Sequence, residues 1–329
     1  MNNKIDFVIT WVDGNDPKWQ KEKNIVLNSN EEIDKERYRD WDNLKYIFRG
    51  IEKNAPWVNK IYFITWGHLP KWLNIENEKL IIVNHKDYIP KKYLPTYSSH
   101  VLELNLHRIK DLSDNFVYFN DDTFIIDKLK DTDFFVNNKP KDYAILTSIC
   151  SEKDYMFPHI LLNNMYVINK NFNFNKVIRK NISNWFNIKY GKEQIRTLLL
   201  MPWKTFTGLK YSHIPSAFNK STFIELWDRE YEILDKTCSH KTRDYSDVNQ
   251  YVLKAWQIAK NNFVPTSPKL GKLFSVSDDT TSICKAIKEK KYKLMCINDS
   301  KNINNFETVK DKINKELNNL YPNKSSFEK

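Results

Sequence analysis

Four short apolar runs, each followed at once by polar residues, constrain the fold of this chain more than any other feature. The runs are rich in β-branched and aromatic residues, which favour strands. In chain order they read IDFVITWV, KIYFITWG, KLIIVNH and NFVYFNDD. Between the first two, Leu44, Ile47, Phe48 and Ile51 recur at helical spacing, and Pro56 lies beyond the end of that stretch.

A second helical stretch, SSHVLELNLHRIKDL, precedes the fourth run, with Ser98 or Ser99 as its N-cap. The order strand, helix, strand, strand, helix, strand predicts an α/β fold with a largely parallel central sheet. Ligands of such sheets bind outside the carboxyl ends of the strands. The residues at those ends are Asp13, Trp66 with Gly67, His85, and Asp121 with Asp122. This edge of the sheet is therefore the predicted site.

The rest of the chain predicts one large domain with an inserted lobe rather than a second domain. We expect an N-terminal α/β part over 1–145, a mainly helical lobe over about 146–210, a further part over 211–300 and a polar tail over 301–329. FIELWDREYEILDKTC and DVNQYVLKAWQIAK predict helices, and YKLMCIND predicts a late strand. The tail from Asn302 predicts a helix with a frayed end.

Composition limits the class of protein. The 329 residues are 41% hydrophobic, which indicates a globular chain. The net charge of +11 suits nucleic acid, anionic lipid or an anionic substrate, or is simply a Lys-rich surface. The four cysteines lack zinc spacing and predict reduced thiols in a cytoplasmic protein. Neither a leader nor a span of roughly 20 apolar residues is evident, so membrane contact is expected to be peripheral, through the basic surface.

Two of the predicted strands end in neighbouring polar and acidic residues. Asp121 and Asp122 follow the fourth run, and Asn298 with Asp299 ends the late strand. Carboxylates at strand ends in a basic chain suit a hard cation, Mg²⁺ or Mn²⁺, held by Asp121, Asp122 and Asp299. The alternative is that such residues cap a turn or begin a helix.

Histidines and an arginine are further candidates. His213 precedes Pro215 in a predicted loop, where functional residues concentrate, although a lone histidine is usually structural. Arg243 lies among polar residues before a helix and is a candidate phosphate clamp. His100 and His107 lie two turns apart in the second helical stretch, and we expect them on one face.

Longer segments resemble the Stealth family of sugar-phosphate transferases. IDFVITWVDGNDPKW resembles the first conserved region of that family, and the segment from Arg39 to about Tyr143 resembles the second. SHIPSAFNKS with RDYSDVNQYVL is similar to the third, and YKLMCINDS to the fourth. The family includes the catalytic subunit of the lysosomal-enzyme N-acetylglucosamine-1-phosphotransferase. At this length the chain is most similar to bacterial capsular or receptor-polysaccharide phosphotransferases.

The resemblance implies a nucleotide-sugar-transferase-like fold (GT-A or Rossmann-like) and a reaction. A nucleotide-sugar, typically a UDP-hexose, gives its sugar 1-phosphate to a hydroxyl of a lipid-linked oligosaccharide, and UMP leaves. At the positions matched to the family we infer catalytic roles for Asp122, for His213 as the base and for Arg243 as a phosphate clamp. The matched positions assigned to substrate binding are Asp13, Gly14, Arg39, His100 and Glu103.

Two other functions stay open at this point. One is a metal-dependent glycosyltransferase, which would release UDP instead of UMP. The other is a nucleic-acid-binding protein, suggested by the charge of +11. Against the second, the lysines are scattered and no RNA- or DNA-binding signature is present. We therefore expect no nucleic-acid partner.

Overall fold

The structure, a computed structural model, describes residues 4–28, 39–151 and 155–329. Its strands form one five-stranded sheet and two three-stranded sheets. The strand bounds are β1 (Ile5–Thr10), β2 (Ile61–Thr65), β3 (Leu80–Asn84), β4 (Asn115–Phe119), β5 (Thr123–Ile125), β6 (Phe135–Val136), β7 (Lys139–Asp142), β8 (Ser216–Asn219), β9 (Val264–Pro265), β10 (Gly271–Ser275) and β11 (Leu294–Asn298).

The central sheet has the spatial order β3-β2-β1-β4-β8. The first four strands are parallel, and β8 lies antiparallel to β4 on the edge. The predicted α/β fold with a largely parallel sheet is confirmed. The chain places β2 and β3 on one side of β1 and β4 on the other, so the strand order reverses between β1 and β4.

Alternation along the strands places an apolar cluster on each face of this sheet. In β4, Phe116 and Tyr118 belong to one cluster, whereas Val117 and Phe119 belong to the other. Helices cover both faces, as a parallel sheet requires. Leu44, Ile47, Phe48 and Ile51 of the first long helix are all buried, as their spacing predicts.

The helix bounds are α1 (Pro17–Leu27), α2 (Leu44–Asn54), α3 (His85–Tyr88), α4 (Ser99–Leu104), α5 (Met156–Asn171), α6 (Phe174–Lys180), α7 (Ile182–Trp185), α8 (Gln194–Leu200), α9 (Lys220–Arg229), α10 (Tyr231–Ser239), α11 (Gln250–Ala259), α12 (Thr281–Lys288) and α13 (Phe306–Leu320). Within the described ranges, no helix has the length and apolar content that crossing a bilayer requires.

Two predicted helices differ from the structure. The stretch after Ser98 ends as an α-helix at Leu104, because the Asn105 side chain donates to the Val101 carbonyl over 2.9 Å and a 3₁₀ turn follows. His100 and His107 therefore do not share a helix face, and that prediction was wrong.

The other long prediction splits into α9 and α10 at Glu230. The buried Glu230 carboxylate accepts hydrogen bonds from Lys170 (2.9 Å) and Asn171 (2.6 Å). Since Glu230 turns into the interior to bind these donors, the backbone leaves the helical conformation there.

A second sheet pairs the late strand with residues far along the chain. β11 is present as predicted, parallel to β10 and antiparallel to β5. β5 follows β4 after the three-residue turn 120–122. This turn therefore connects the two sheets.

The polar tail is packed against the body of the protein, so the prediction of a frayed end was wrong. After α13, Tyr321 and Phe327 are buried. Arg49 in α2 forms a two-point ion pair with Glu328, with donor–acceptor distances of 2.8 and 2.7 Å. Both side chains are almost fully buried, and this pair fixes the tail to α2.

Candidate active site

The candidate site lies where β1 and β4 end beside each other. Ile9 is in register with Phe119, so both strands finish at the same edge. The hydroxyl of Thr10, which follows Ile9, lies 3.0 Å from that of Tyr118, which precedes Phe119. An order reversal between neighbouring parallel strands opens a crevice at this point, which is where such sheets bind ligands.

β8 brings His213 to this edge. It runs antiparallel to β4, with Ser216 opposite Tyr118, so the residues before Ser216 extend past the carboxyl end of β4. His213 Nε2 lies 2.9 Å from Asn120 Nδ2. His213 Nδ1 lies 3.1 Å from the Tyr251 hydroxyl. The strand pairing thus places a histidine between the end of β4 and the start of α11.

The hydrogen bonds around His213 define which ring nitrogen carries the proton. The Asn120 amide donates to Nε2, so Nδ1 carries the hydrogen and donates to the Tyr251 oxygen. Asp122 Oδ2 lies 3.7 Å from Nε2. A neutral histidine with an accepting nitrogen beside a carboxylate can take up a proton and be stabilised once it is charged.

One carboxylate oxygen of Asp122 accepts a hydrogen bond, and the other has no partner among the described residues. The Cys296 thiol donates to Oδ2 over 3.1 Å. Burial raises the pKa of Cys296 well above its usual range, and the charge of Asp122 adds to this, so the thiol stays protonated. Oδ1 is buried without a hydrogen-bond partner among the described residues. A buried carboxylate oxygen without a partner is costly unless something positive binds it.

Asp121 is solvent-exposed beside Asp122. The surrounding protein nevertheless desolvates its carboxyl group and, together with the negative charge of Asp122, raises the pKa of Asp121 to about 7. Two such oxygen donors at an accessible edge fit a hard cation.

The fold also gathers a set of possible metal ligands that spacing along the sequence does not reveal. Ligand atoms of Asp122, His213 and Cys296 lie within 4.8 Å of one another. Mg²⁺ and Mn²⁺ prefer carboxylate oxygens to a thiol, so the oxygens of Asp121 and Asp122 are the donors at this edge that suit such an ion.

Arg39 and Asp299, two of the predicted site residues, form a pair with each other. Arg39 donates to both oxygens of Asp299, over 2.9 and 2.7 Å, and the Trp41 indole donates to one of them over 3.1 Å. The acid and the guanidinium satisfy each other. Asp299 is therefore not an open metal ligand, Arg39 is not an open substrate-binding group, and we leave both out of the proposed site.

Arg243 is exposed and donates to the Ser99 hydroxyl over 2.8 Å. No acidic side chain pairs with it in the part of the chain that the structure describes. His100 follows Ser99 on α4, is buried, and its Nδ1 lies 2.8 Å from an oxygen of Asp247. The other oxygen of Asp247 lies 2.7 Å from His240 Nδ1. His100 thus positions the loop that carries Arg243.

Glu103 is buried in the same helix and accepts from the Gln250 backbone over 3.1 Å. Gln250 begins α11, and the next residue is Tyr251, which contacts His213. Through this bond Glu103 fixes the end of the helix that presents Tyr251. The predicted contact of Glu103 with substrate is therefore replaced by a positioning role in our proposal.

The loop after β1 carries Asp13 and Gly14. The Asp13 backbone donates to His68 Nε2 over 2.7 Å, and His68 Nδ1 lies 3.0 Å from Asp16. The Gly14 carbonyl accepts from Gln20 over 2.7 Å. The loop is thus held from both sides, and the partly exposed Asp13 follows the carboxyl end of β1.

His85 lies nearby, at the end of β3. Burial lowers the pKa of His85 to about 4, with a smaller contribution from His68. It is therefore a neutral, interior histidine at neutral pH.

Reasoning from the sequence missed the partners that organise these groups. Tyr251 and Asp247 lie in RDYSDVNQYVL, in which Arg243 was the only predicted site residue, and Cys296 lies three residues before the predicted strand-end acid Asp299. A polar residue at a helix start is a weak signal. The pairing of β8 with β4, which would have revealed the contact with Asn120, spans about a hundred residues and leaves no local pattern.

Two segments match described conserved regions of one protein family. Residues 3–31 match "Stealth protein CR1, conserved region 1". Residues 37–143 match "Stealth protein CR2, conserved region 2". These ranges include the Asp13 loop and the Asn120–Asp122 turn.

Whole-length relatives carry related names. The chain is 46% identical to a capsular polysaccharide phosphotransferase, WcwK, of Streptococcus pneumoniae, over 99% of this chain and 98% of that protein. It is 39% identical to a receptor polysaccharide phosphotransferase, WefC, of Streptococcus gordonii, over 100% of both. It is 34% identical to an exopolysaccharide phosphotransferase of Lactiplantibacillus plantarum, over 99% of this chain and 96% of that protein.

Among solved structures, the bifunctional glycosyltransferase WbbM overlaps with a TM-score of 0.42 and 9% identity, over 97% of this chain and 50% of that one. This overlap is too low to support an argument about the site.

Proposed function

This chain belongs to the Stealth family, and with polysaccharide phosphotransferases as its full-length relatives we propose that it is an enzyme that transfers hexose 1-phosphate from a nucleotide-sugar, a UDP-hexose, to a polysaccharide. The acceptor is a hydroxyl of a growing cell-surface glycan carried on a lipid. The products are a phosphodiester between two sugars and UMP.

The observation that carries this proposal is the placement of His213 at the crevice between β1 and β4. Its Nε2 faces Asp122 at 3.7 Å, and its Nδ1–H is held by Tyr251. A general base needs an accepting nitrogen, a fixed orientation and a stabilised charged form. Tyr251 fixes the orientation and Asp122 stabilises the charged form, and Nε2 becomes the accepting nitrogen once the acceptor hydroxyl displaces the Asn120 amide.

In the proposed step, the acceptor hydroxyl displaces the Asn120 amide from His213 Nε2. Nε2 then takes the hydroxyl proton while that oxygen attacks the β-phosphorus of the donor. The new phosphorus–oxygen bond forms as the bond from this phosphorus to the bridging oxygen breaks. UMP leaves with the bridging oxygen. The Asp122 carboxylate stabilises the imidazolium, and Tyr251 accepts its Nδ1 hydrogen throughout.

Asp121 and Asp122 are the residues that we propose hold Mg²⁺ or Mn²⁺. The support is the buried, unpartnered Asp122 Oδ1 and the exposed neighbouring carboxylate whose pKa is raised to about 7. When bound, such an ion neutralises charge on phosphate oxygens. Asp299 is not part of this set, because Arg39 already holds it.

Arg243 and the Asp13 loop are the proposed donor contacts. Arg243 is exposed and free of an acidic partner within the described ranges, so its planar fork can bind two phosphate oxygens. Asp13 accepts from the Asn15 backbone through one oxygen at 2.9 Å. We propose that its other oxygen binds a hydroxyl of the donor, with Gly14 allowing close approach.

The experiment is an analysis of products with a panel of nucleotide-sugars and a lipid-linked oligosaccharide, followed by phosphorus NMR. We expect UMP and a phosphodiester signal. Activity should vanish with EDTA, return with Mg²⁺ or Mn²⁺, and be lost in Asp122→Asn without loss of folded protein. Asp131→Asn, an exposed acid in a turn, is the matched control and should remain active. Release of UDP would overturn the proposal in favour of glycosyl transfer.

A further inference from the structure

The segment from Ile182 to Trp203 exposes several large apolar side chains to solvent. It includes α7, a 3₁₀ turn over Ile188–Glu193, α8 and a second turn over Met201–Trp203. Between 59% and 91% of the surface of each of six apolar residues is exposed. Ile182 lies in α7, and the other five lie on α8 and the two turns; they are Ile188, Ile195, Leu198, Leu199 and Trp203.

Three of these residues form a stripe on α8. Ile195, Leu198 and Leu199 are spaced three and four residues apart and therefore share one helix face. The opposite face is anchored: Thr197 is fully buried, and its hydroxyl accepts from the Leu146 backbone over 3.1 Å. The helix is thus held from behind while its apolar face points outward.

Basic side chains surround this face. From Phe174 to Lys210 the sequence has eight lysines and arginines and one acid, Glu193. Glu193 is neutralised by Lys210, whose ammonium nitrogen lies 2.9 Å from the carboxylate. Four exposed basic residues flank the stripe itself. They are Lys189, Lys192, Arg196 and Lys204.

We propose that this face, defined by Ile188, Ile195, Leu198, Leu199 and Trp203, docks the protein onto the surface of an anionic lipid bilayer. An apolar stripe with a basic border is the pattern of helices that lie in the membrane interface. The apolar side chains enter the acyl boundary while the lysines and arginines contact anionic headgroups. Trp203 suits the interface because its ring is apolar and its N–H is polar.

The charge pattern argues against the other occupants. A symmetric dimer would place the same patch of both copies face to face, so the excess of basic groups would repel. Nucleic acid offers phosphates for the lysines but nothing for the exposed leucines to be buried in. A bilayer with anionic lipid satisfies both parts of the face.

The face also lies close along the chain to the candidate site. Lys210 pairs with the Ile145 backbone, and Tyr211 stacks on Tyr251 with ring centroids 4.5 Å apart. Ten residues thus lead from Trp203 to His213. The docking itself does not depend on the proposed function. Only its purpose does, which is to present the active site to a lipid-linked acceptor.

The test is sedimentation of the full chain with vesicles, which needs no turnover and so fails independently of the proposed reaction. We expect binding to phosphatidylcholine vesicles containing phosphatidylglycerol and weaker binding to phosphatidylcholine alone. Leu198→Ser with Leu199→Ser should weaken partitioning by about tenfold or more, because two leucines no longer gain burial. Lys192→Gln with Lys204→Gln should weaken binding to the anionic vesicles by about tenfold or more and leave binding to phosphatidylcholine alone unchanged.

The matched control is Ile224→Ser, which removes a similarly exposed isoleucine from α9. It should bind vesicles like the wild type. Thermal melting should show that every variant stays folded. Turnover of a water-soluble acceptor should be unchanged in the leucine variant. A wild type that does not sediment, a leucine variant that binds normally, or a wild-type dimer that the leucine variant converts to a monomer would each overturn the proposal.

Discussion

Replacing Tyr251 with phenylalanine tests the proposed base without removing it. The hydroxyl lies 3.1 Å from His213 Nδ1, and burial, with Glu103 adding, raises the pKa of Tyr251 well above its usual range. The hydroxyl therefore stays neutral, and the change removes one hydrogen bond. A bond to a group that becomes charged contributes about 1.5–3 kcal/mol. Since 3.1 Å is a long contact, we take the lower end, about tenfold in kcat.

The assay is release of nucleoside monophosphate in single turnovers, with donor affinity measured by calorimetry. Donor affinity should be unchanged, since Tyr251 is buried and contacts the histidine.

Tyr211→Phe is the matched control. Its ring stacks on Tyr251, but its hydroxyl is buried with no hydrogen-bond partner among the described residues. Removing that hydroxyl should leave turnover unchanged. Equal losses in both variants, or a Tyr251→Phe enzyme with normal kcat, would refute the reasoning.

Three further outcomes are expected. Burial lowers the pKa of His85 to about 4. As the pH falls, His85 is therefore protonated near pH 6.5 in the unfolded chain but only near pH 4 in the folded protein. About 3 kcal/mol of stability, fully present above pH 6.5, is lost across that window, and a His85→Gln melting curve that falls as steeply with acid would contradict this. Glu328→Gln leaves the buried Arg49 charge poorly paired and should cost about 3 kcal/mol in denaturant unfolding; an unchanged midpoint would disprove it. Arg243→Lys should weaken donor affinity and slow turnover, because a point charge lacks the planar fork; wild-type kinetics would remove Arg243 from the site.

The strand ends were predictable because each depends on a local pattern. The runs that became β1 to β4 are apolar and β-branched, and a parallel sheet places their carboxyl ends together wherever the crossovers run. Asp13, Asp121 and Asp122 could therefore be assigned to one edge before any contact was known.

The pairings among distant residues were not predictable. Nothing near Asp299 indicates that Arg39 would hold it, since the two lie about 260 residues apart. Nothing near Glu328 indicates the buried partner in α2, so a polar tail was expected to fray. Side-chain partners of this kind follow from tertiary packing, and composition and periodicity do not record it.

The turn 120–122 makes the enzyme sensitive to how its two sheets are aligned. Asp122 is tied to the second sheet, because Cys296 of β11 donates to it. His213 is tied to the first, since β8 begins three residues later. The distance of 3.7 Å between Asp122 and His213 therefore depends on how the two sheets are aligned. Gly271 of β10 has no room for a side chain, as a Cβ there would lie 2.8 Å from Leu294. Such a Cβ would also lie 3.0 Å from Ile214, the neighbour of His213. Gly271→Ala should therefore change the distance between Asp122 and His213, and this variant should lose turnover on heating at temperatures where it is still folded.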